Sequence, residues 1–369
     1  MNILIFTTPF YPRKSGLSNY VLNLSKKLIE KGFNITVLCY DTEKTEILKE
    51  NIFNINVFRV KCKKILNSYY IPDNRHLDEQ LKNIAKKKYD VVLTNTRFFH
   101  SSLIGMEFAK KNNISLIHVE HGSSFVQTNN LIIWLCSRIF DLFIGRRILN
   151  NANKIVSISE EVKLFVKKLS GKDSVVIYNS IDTKSIKPIK LTKKVKNLVF
   201  VGRLIYGKGV QDLINVFDKL NNKNLSLYIV GDGPYKNKLE DLAKRLNLEN
   251  KIIFFGEVNR LRVIKILSKS DIFINPSYTE GLPSTILEAG LVGLPVIATD
   301  VGGTKEIIIN KKTGLLINPK NFIELKNAIT TLINNSERIK FAKNLNKLIR
   351  KKFDWELNIK DWEKILKVS

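Results

Sequence analysis

The sequence predicts an α/β protein of two domains, each an open parallel sheet with helices on both faces. Three observations predict it. The 369 residues exceed what one hydrophobic core usually serves. Short apolar runs alternate with longer amphipathic ones along the whole chain. Many of the short runs are rich in Ile and Val, as strands covered on both faces are. The apolar fraction of 44% suits such a globular chain, and no low-complexity tract interrupts it.

Met1–Thr8 lack the basic start and long apolar core of a signal peptide and read as a first strand at 2–7. Further strands read at 34–40, 55–60, 90–94, 115–119, 153–157 and 174–177. Helices fit near 16–31, 76–88, 102–111, 129–150 and 160–169. The helix at 129–150 is strongly apolar with basic insertions. It suits a long helix buried against the first sheet, or one whose aromatic side touches a membrane interface. The stretch 61–70 mixes basic and aromatic residues; it reads as a solvated loop, or as a border of an acceptor site. Residues 183–196, basic around Pro188 and without periodicity, read as a linker. Strands then follow at 197–201, 225–230, 252–255, 272–275, 295–298 and 314–317. Helices fit 209–220, 234–246, 258–268, 284–292, 320–333, 337–351 and 355–366. Ligands of open parallel sheets bind beyond the carboxyl ends of the strands. With two sheets the expected site is an interdomain cleft.

Composition narrows the function classes. Cys39, Cys62 and Cys136 share no metal or redox spacing, and only four histidines are present. Scattered cysteines argue for a reducing compartment, and no run reaches the length of a spanning helix, so the cytoplasm is the simplest location. No Asp-x-Asp occurs, so a metal clamp for a diphosphate is not indicated. The net charge is +27. Up to Asp182 there are 27 Lys and Arg against 16 Asp and Glu, and beyond it 34 against 18, an excess of +11 and +16. Such a field draws nucleic acids, anionic membranes and phosphorylated small molecules alike; compositional bias toward Lys explains it equally well. No nucleic-acid motif accompanies it, which leaves a nucleic-acid-binding protein as a weak rival.

Several loops suit phosphate. Gly16 follows the first strand and opens a helix whose N–H groups could face an anion. Gly202-Arg203 through Lys208-Gly209 follow the strand at 197–201; Arg203 offers a planar fork and Lys208 a mobile point charge. Gly231-Asp232-Gly233-Pro234 is a sharp turn before a helix. Its glycines serve geometry alone or keep room for a ligand. Phe254–Val258 and Val301–Glu306 are two more loops after strands. The run Pro276–Ala289 places Glu280 after a buried strand and Gly281-Leu282 in a turn, with Glu288 one turn inside a helix. That turn could receive a diphosphate, and Glu288 could accept the hydroxyls of a ribose. Glu280 beside phosphate needs Arg203 or Lys208 to offset it; it contacts a sugar or organises the basic pair. In His118–Gly122 the two histidines point to opposite faces of an extended segment. His121 is the one suited to a cleft, with a structural role as the alternative.

Together these loops resemble the large family of retaining glycosyltransferases with two facing Rossmann-like domains, often called family 4 or group 1, of GT-B type. The resemblance covers essentially the whole chain. Glu280 through Glu288 look like the family's Glu-x7-Glu pattern. Gly202-Arg203, Lys208-Gly209, Gly231–Pro234 and Gly314–Leu316 resemble further family segments. Asn179–Asp182 resembles the family's Asn-Gly-Val-Asp, with Ser180 for glycine, and Ser15-Gly16 stands where Gly-Gly is frequent. The resemblance implies a first, acceptor-side domain at 1–182, a linker at 183–196, a nucleotide-sugar domain at 197–352 and a terminal helix at 353–369 crossing back to the first domain. It puts Arg203 and Lys208 on the donor diphosphate and Glu288 on the ribose. Glu280, Gly281 and Leu282 would meet the transferred sugar and phosphates, with Gly16, Gly202 and Gly233 around the donor and His121 near its sugar. The implied reaction is hexosyl transfer with retention from a UDP-sugar or GDP-mannose, without metal or other cofactor. The implied acceptor is a glycan or a lipid-linked glycan in envelope polysaccharide or glycolipid synthesis, at the inner face of the membrane. A nucleotide-sugar epimerase of the same architecture is the main rival.

Overall fold

The computed structural model describes residues 1–13, 15–66, 69–128, 130–192 and 194–367, with Leu66 described by its backbone. Lys14 of the first glycine loop, Asn67 and Ser68 of the 61–70 stretch, Lys193 of the expected linker and the last two residues of 353–369 lie outside the described residues.

Two units make up the chain. The first comprises Met1–Phe125, Leu135–Asn179 and the segment from Trp355 onward. Its strands are β1 (Asn2–Thr7), β2 (Asn34–Tyr40), β3 (Lys49–Ile52), β4 (Ile55–Val60), β5 (Cys62–Leu66), β6 (Tyr69–Pro72), β7 (Val91–Asn95), β8 (Ser115–Glu120), β9 (Lys154–Ser157) and β10 (Val175–Val176). Eight of them form one sheet in the order β10-β9-β8-β7-β1-β2-β4-β3, parallel except where the edge strand β3 runs against β4. Ile3, Leu4, Ile5 and Phe6 of β1 are all fully buried. That is why the run shows no alternation: helices cover both faces of the sheet.

The second unit comprises Val126–Trp134 and Ser180–Asp354. Its strands are β11 (Asn197–Val201), β12 (Ser226–Val230), β13 (Ile252–Gly256), β14 (Ile272–Asn275), β15 (Val296–Thr299) and β16 (Leu315–Ile317). They form a parallel sheet in the order β13-β12-β11-β14-β15-β16. The core of this unit gathers Leu198, Phe200, Leu227, Ile229 and Ile274 from the strands with Leu213, Ile214 and Ile329 from the helices. Each sheet is thus of the Rossmann-like kind expected. In each, the order reverses beside its first strand, between β1 and β7 and between β11 and β14. Such reversals leave a crevice at the carboxyl ends of the two strands.

Three expectations need correction. The stretch 61–70 is not a loop: β5 and β6 pair as an antiparallel hairpin. Its mixture of lysines and aromatics hid the pattern because the hairpin is largely exposed. The helix expected at 129–150 is present as a continuous helical stretch, but it is not α-helical throughout. An α-helix at Leu131–Phe140 gives way to a π-helical turn at Asp141–Gly145 and a second α-helix at Arg146–Asn151. It is not a helix buried along its length either, since no residue of Leu131–Phe140 is buried. The π-helical turn begins at Asp141, a buried carboxylate whose ion pair is described below. Finally, the loop after β15 contains a short helix, Thr304–Ile307.

Candidate functional site

β11 and β14 are hydrogen-bonded neighbours, Leu198 opposite Ile272 and Val199 opposite Phe273. The loops that leave their carboxyl ends therefore start side by side. The loop from β11 turns through Tyr206–Lys208 into the helix Val210–Lys219. Gly209 makes that turn with φ +66°, and a Cβ there would stand 2.0 Å from the Pro276 carbonyl oxygen. Only glycine permits both the left-handed backbone and the close approach. The loop from β14 is tied to the same turn, as the Tyr278 N–H donates to the Gly207 carbonyl at 2.8 Å. Its phenol donates to Asp212 at 2.8 Å and accepts from Gln211 at 2.6 Å.

Lys208 and Glu280 meet where these loops join. Lys208 Nζ donates to Glu280 Oε1 at 2.6 Å. The same oxygen accepts from Ser277 Oγ at 2.7 Å and from Asn275 Nδ2 at 3.2 Å. The Glu280 side chain is only 9% exposed and that of Lys208 24%. A carboxylate so enclosed needs its charge offset and its lone pairs filled, and the three donors do both. Glu280 thus pairs with Lys208, one of the two basic residues of the β11 loop.

Beyond Glu280 the chain enters the helix Ser284–Val292. Pro283 stands at its N-cap with no side-chain cap bond, an arrangement that leaves first-turn N–H groups for a ligand or water. Leu282 is buried, and the Gly281 carbonyl accepts from Gly303 N–H at 2.9 Å, so the loop after β15 braces this turn. Glu288, one turn in, sits 3.7 Å from Arg260 Nε. Burial pushes its carboxyl up, and the Arg260 guanidinium works against that. Arg203 lies at the mouth of the β11 loop with its side chain exposed. The loops after β11 and β12 run together: Gly202 N–H donates to Val230 O and Leu204 N–H to Asp232 O, both at 2.9 Å. A Cβ on Gly233 would approach the Leu204 carbonyl oxygen to 2.3 Å, so this glycine serves that crossing. The Gly256 carbonyl, at the end of β13, accepts from Gly231 N–H at 2.8 Å.

Gly16 and His121 belong to the first unit. Gly16 opens the helix Gly16–Glu30, where Ser15 Oγ accepts from Ser18 N–H at 3.1 Å and caps it. Nothing lies within 4 Å of a Cβ built on Gly16. The fold itself makes no demand for glycine there. His121 follows β8, its ring edge-on to Tyr20 with centroids 4.7 Å apart. Its Nε2 is buried without a hydrogen-bond partner, and desolvation lowers its pKa to about 4.

The His121 loop rests on a buried ionic group that sequence reading missed. Arg97, Glu120 and Asp141 are all fully buried. Arg97 donates from Nε and Nη2 to the two oxygens of Asp141 at 3.0 and 3.1 Å, and from Nη1 to Glu120 Oε1 at 2.9 Å. That Glu120 oxygen also accepts the N–H groups of His121 at 3.0 Å and Gly122 at 2.7 Å. Burial alone would raise the Glu120 carboxyl; Arg97, His118 and the Gly122 N–H hold it at about 2. The one signal in the sequence was Asp141, a lone acid inside an otherwise apolar and basic run. Among the described residues, no group of three or more His, Cys, Asp or Glu could hold a metal ion.

Comparison with known proteins agrees with this architecture. The family model described as Glycosyl transferases group 1 matches residues 182–352, and that described as Glycosyltransferase Family 4 matches residues 14–185. The uncharacterized glycosyltransferase MJ1069 of Methanocaldococcus jannaschii is 32% identical over 99% of this chain and 98% of its own. Among solved structures, sucrose-phosphate synthase from Thermosynechococcus elongatus superposes with a TM-score of 0.86 at 21% identity, covering 99% of this chain and 98% of that one. Anabaena HepE in complex with UDP and glucose has a TM-score of 0.82 at 19% identity, with both chains covered in full.

Proposed function

The chain belongs to the family 4, group 1 glycosyltransferases of GT-B fold, and from that membership we propose a retaining hexosyltransferase that uses a nucleotide-diphosphate sugar without a metal. One observation carries the reading: the Lys208–Glu280 ion pair, 2.6 Å long, at the joined carboxyl ends of β11 and β14. A diphosphate leaving group accumulates negative charge as the anomeric C–O bond breaks. Fixed donors aimed at that charge lower the barrier most. Lys208 supplies a positive charge already held in place by Glu280. Arg203 and the first-turn N–H groups of Ser284–Val292, reached through Gly281 and Leu282, complete the anion site. Glu288 takes the ribose hydroxyls, and Gly202 and Gly233 keep the backbone of this pocket close. In the first unit, Gly16 and His121 are the residues proposed for binding, His121 toward a sugar.

In the proposed transfer, the acceptor hydroxyl oxygen bonds to the anomeric carbon on the face the diphosphate leaves. The C–O electron pair departs with the nucleoside diphosphate, and the hydroxyl proton passes to a leaving phosphate oxygen. Sugar configuration is thereby kept. The donor is a UDP-sugar or GDP-mannose; HepE of the same fold holds UDP and glucose. The acceptor is a glycan or lipid-linked glycan of envelope polysaccharide or glycolipid synthesis. The enzyme works in the cytoplasm, at the inner face of the membrane.

A thermal-shift screen of nucleotide sugars identifies the donor, and NMR of the product reports the anomeric configuration. Alanine at Lys208 or at Glu288 should cut transfer roughly 100-fold or more with the fold retained. Wild-type turnover in both purified variants would sink the site. Release of isomerised sugar nucleotide with no acceptor present would convert the assignment to an epimerase.

A further inference from the structure

We propose that the first unit docks on an anionic lipid surface through the exposed face at 135–147 and the neighbouring β5–β6 hairpin. This deepens the proposed transferase reading by naming the surface that would present a lipid-linked acceptor. Leu135, Ile139, Leu142 and Phe143 are each exposed by about half or more, Phe143 by 73%. Steps of four, three and one residue place them on one stripe of the helical stretch. Single exposed apolar side chains are ordinary on a protein surface, but a contiguous stripe marks a contact with something apolar.

The surroundings of the stripe say what that is. Arg146 and Arg147 continue it, both exposed, with Arg147 3.6 Å from Glu107. On the other side Tyr69 of the hairpin sets its ring edge-on to Phe140, centroids 6.3 Å apart. The same hairpin carries exposed Lys63 and Lys64 beside an exposed Ile65. An apolar stripe with exposed cations farther along its own helical stretch and on the adjoining hairpin matches the acyl boundary and the phosphates of an anionic bilayer. A second copy of the chain fits it poorly, because a two-fold contact would bring the same cations against one another. Among the described residues no helix is long and apolar enough to cross a membrane, so this face would lie on the surface.

The test is co-sedimentation with phosphatidylcholine vesicles with and without phosphatidylglycerol. Wild-type protein should bind the anionic vesicles and release them as salt rises. Leu142→Glu with Phe143→Glu, or Lys63→Glu with Lys64→Glu, should each weaken binding by about tenfold or more. These side chains are exposed, and a retained melting temperature in each variant excludes misfolding. Failure of the wild type to bind, or undiminished binding by L142E/F143E, overturns the proposal. So does a dimer in sedimentation velocity that L142E/F143E dissolves while no lipid is bound, which would give the face to a second copy. UDP and GDP binding measured on the same samples separates the two readings: absence of both in the wild type defeats the donor site and leaves the vesicle result standing.

Discussion

Two side chains have charge states that depend on the fold around them. Glu280 is enclosed among Lys208, Ser277 and Asn275, so its carboxylate is tolerable only while the ammonium stays. Glu280→Gln keeps the acceptor oxygen and removes the charge that holds Lys208. Transfer should fall by roughly 10- to 100-fold, with a melting temperature near that of the wild type. An unchanged kcat would show that Lys208 does not depend on Glu280 for its position. His121 is conditional on pH. Its pKa falls from the ordinary 6.5 to about 4 in the folded protein. A lowered pKa means that the unfolded chain takes the proton first. The stability His121 lends is present above pH 6.5 and is lost as pH falls toward 4, at most about 3 kcal/mol. Urea unfolding of the wild type should show this slope, and His121→Gln should flatten it. Equal slopes in the two proteins would place the titration elsewhere.

At the scale of elements, the parallel strands were legible because burial on both faces leaves an uninterrupted Ile and Val run, and the glycine loops because they end such runs; the half-exposed antiparallel edge strand β3 was not. Lys208 and Glu280 could be grouped from sequence since each follows a strand, and strand ends share one side of a parallel sheet. Arg97 could not be grouped with Glu120 and Asp141, because nothing in the sequence shows that two acids separated by 21 positions converge on it. The π-helical turn was hidden for a similar reason, since the buried Asp141 at its start pairs with the distant Arg97, whereas the hairpin was hidden by its exposure. The Arg97 group welds the π-helical turn to the His121 loop. Arg97→Met would leave two buried carboxylates without their cation, at a cost of about 3–5 kcal/mol. Both carboxyls would then titrate higher in the folded state. The variant should recover stability relative to the wild type as pH falls, whereas the wild type loses the share from Glu120 as pH drops from 4.5 toward 2. A parallel pH dependence in the two proteins would mean that the charges are compensated by other groups. Gly209→Ala tests the second unit in the same way. Its left-handed backbone costs roughly 1–3 kcal/mol without glycine, and the collision with Pro276 adds to that, so donor binding should weaken along with stability.

At the scale of the whole chain, sequence order and structural unit part company. The last helix, Trp355–Lys367, follows the second unit in sequence but belongs to the first. Trp355, Ile359, Trp362 and Leu366 are buried, and Trp355 meets Tyr20 with ring centroids 5.7 Å apart. Lys27 pairs with Glu356 at 2.7 Å, and Lys154 Nζ donates to the Ile365 carbonyl at 3.1 Å. Burying a large side chain is worth about 1.5–3 kcal/mol, so four of them approach the whole stability of a typical domain. Tyr20 in turn packs on His121, which makes the final helix a support for that ring as well. Ending the chain at Asp354 should therefore unfold the first unit and spare the second. Hydrogen exchange should show loss of protection in β1, β2 and β8 with β11, β12 and β14 still protected. The truncated chain should keep its affinity for the donor's nucleoside diphosphate, UDP or GDP, within a few-fold while transfer is abolished. Exchange that instead opens both sheets together would mean that the two units fold as one cooperative body.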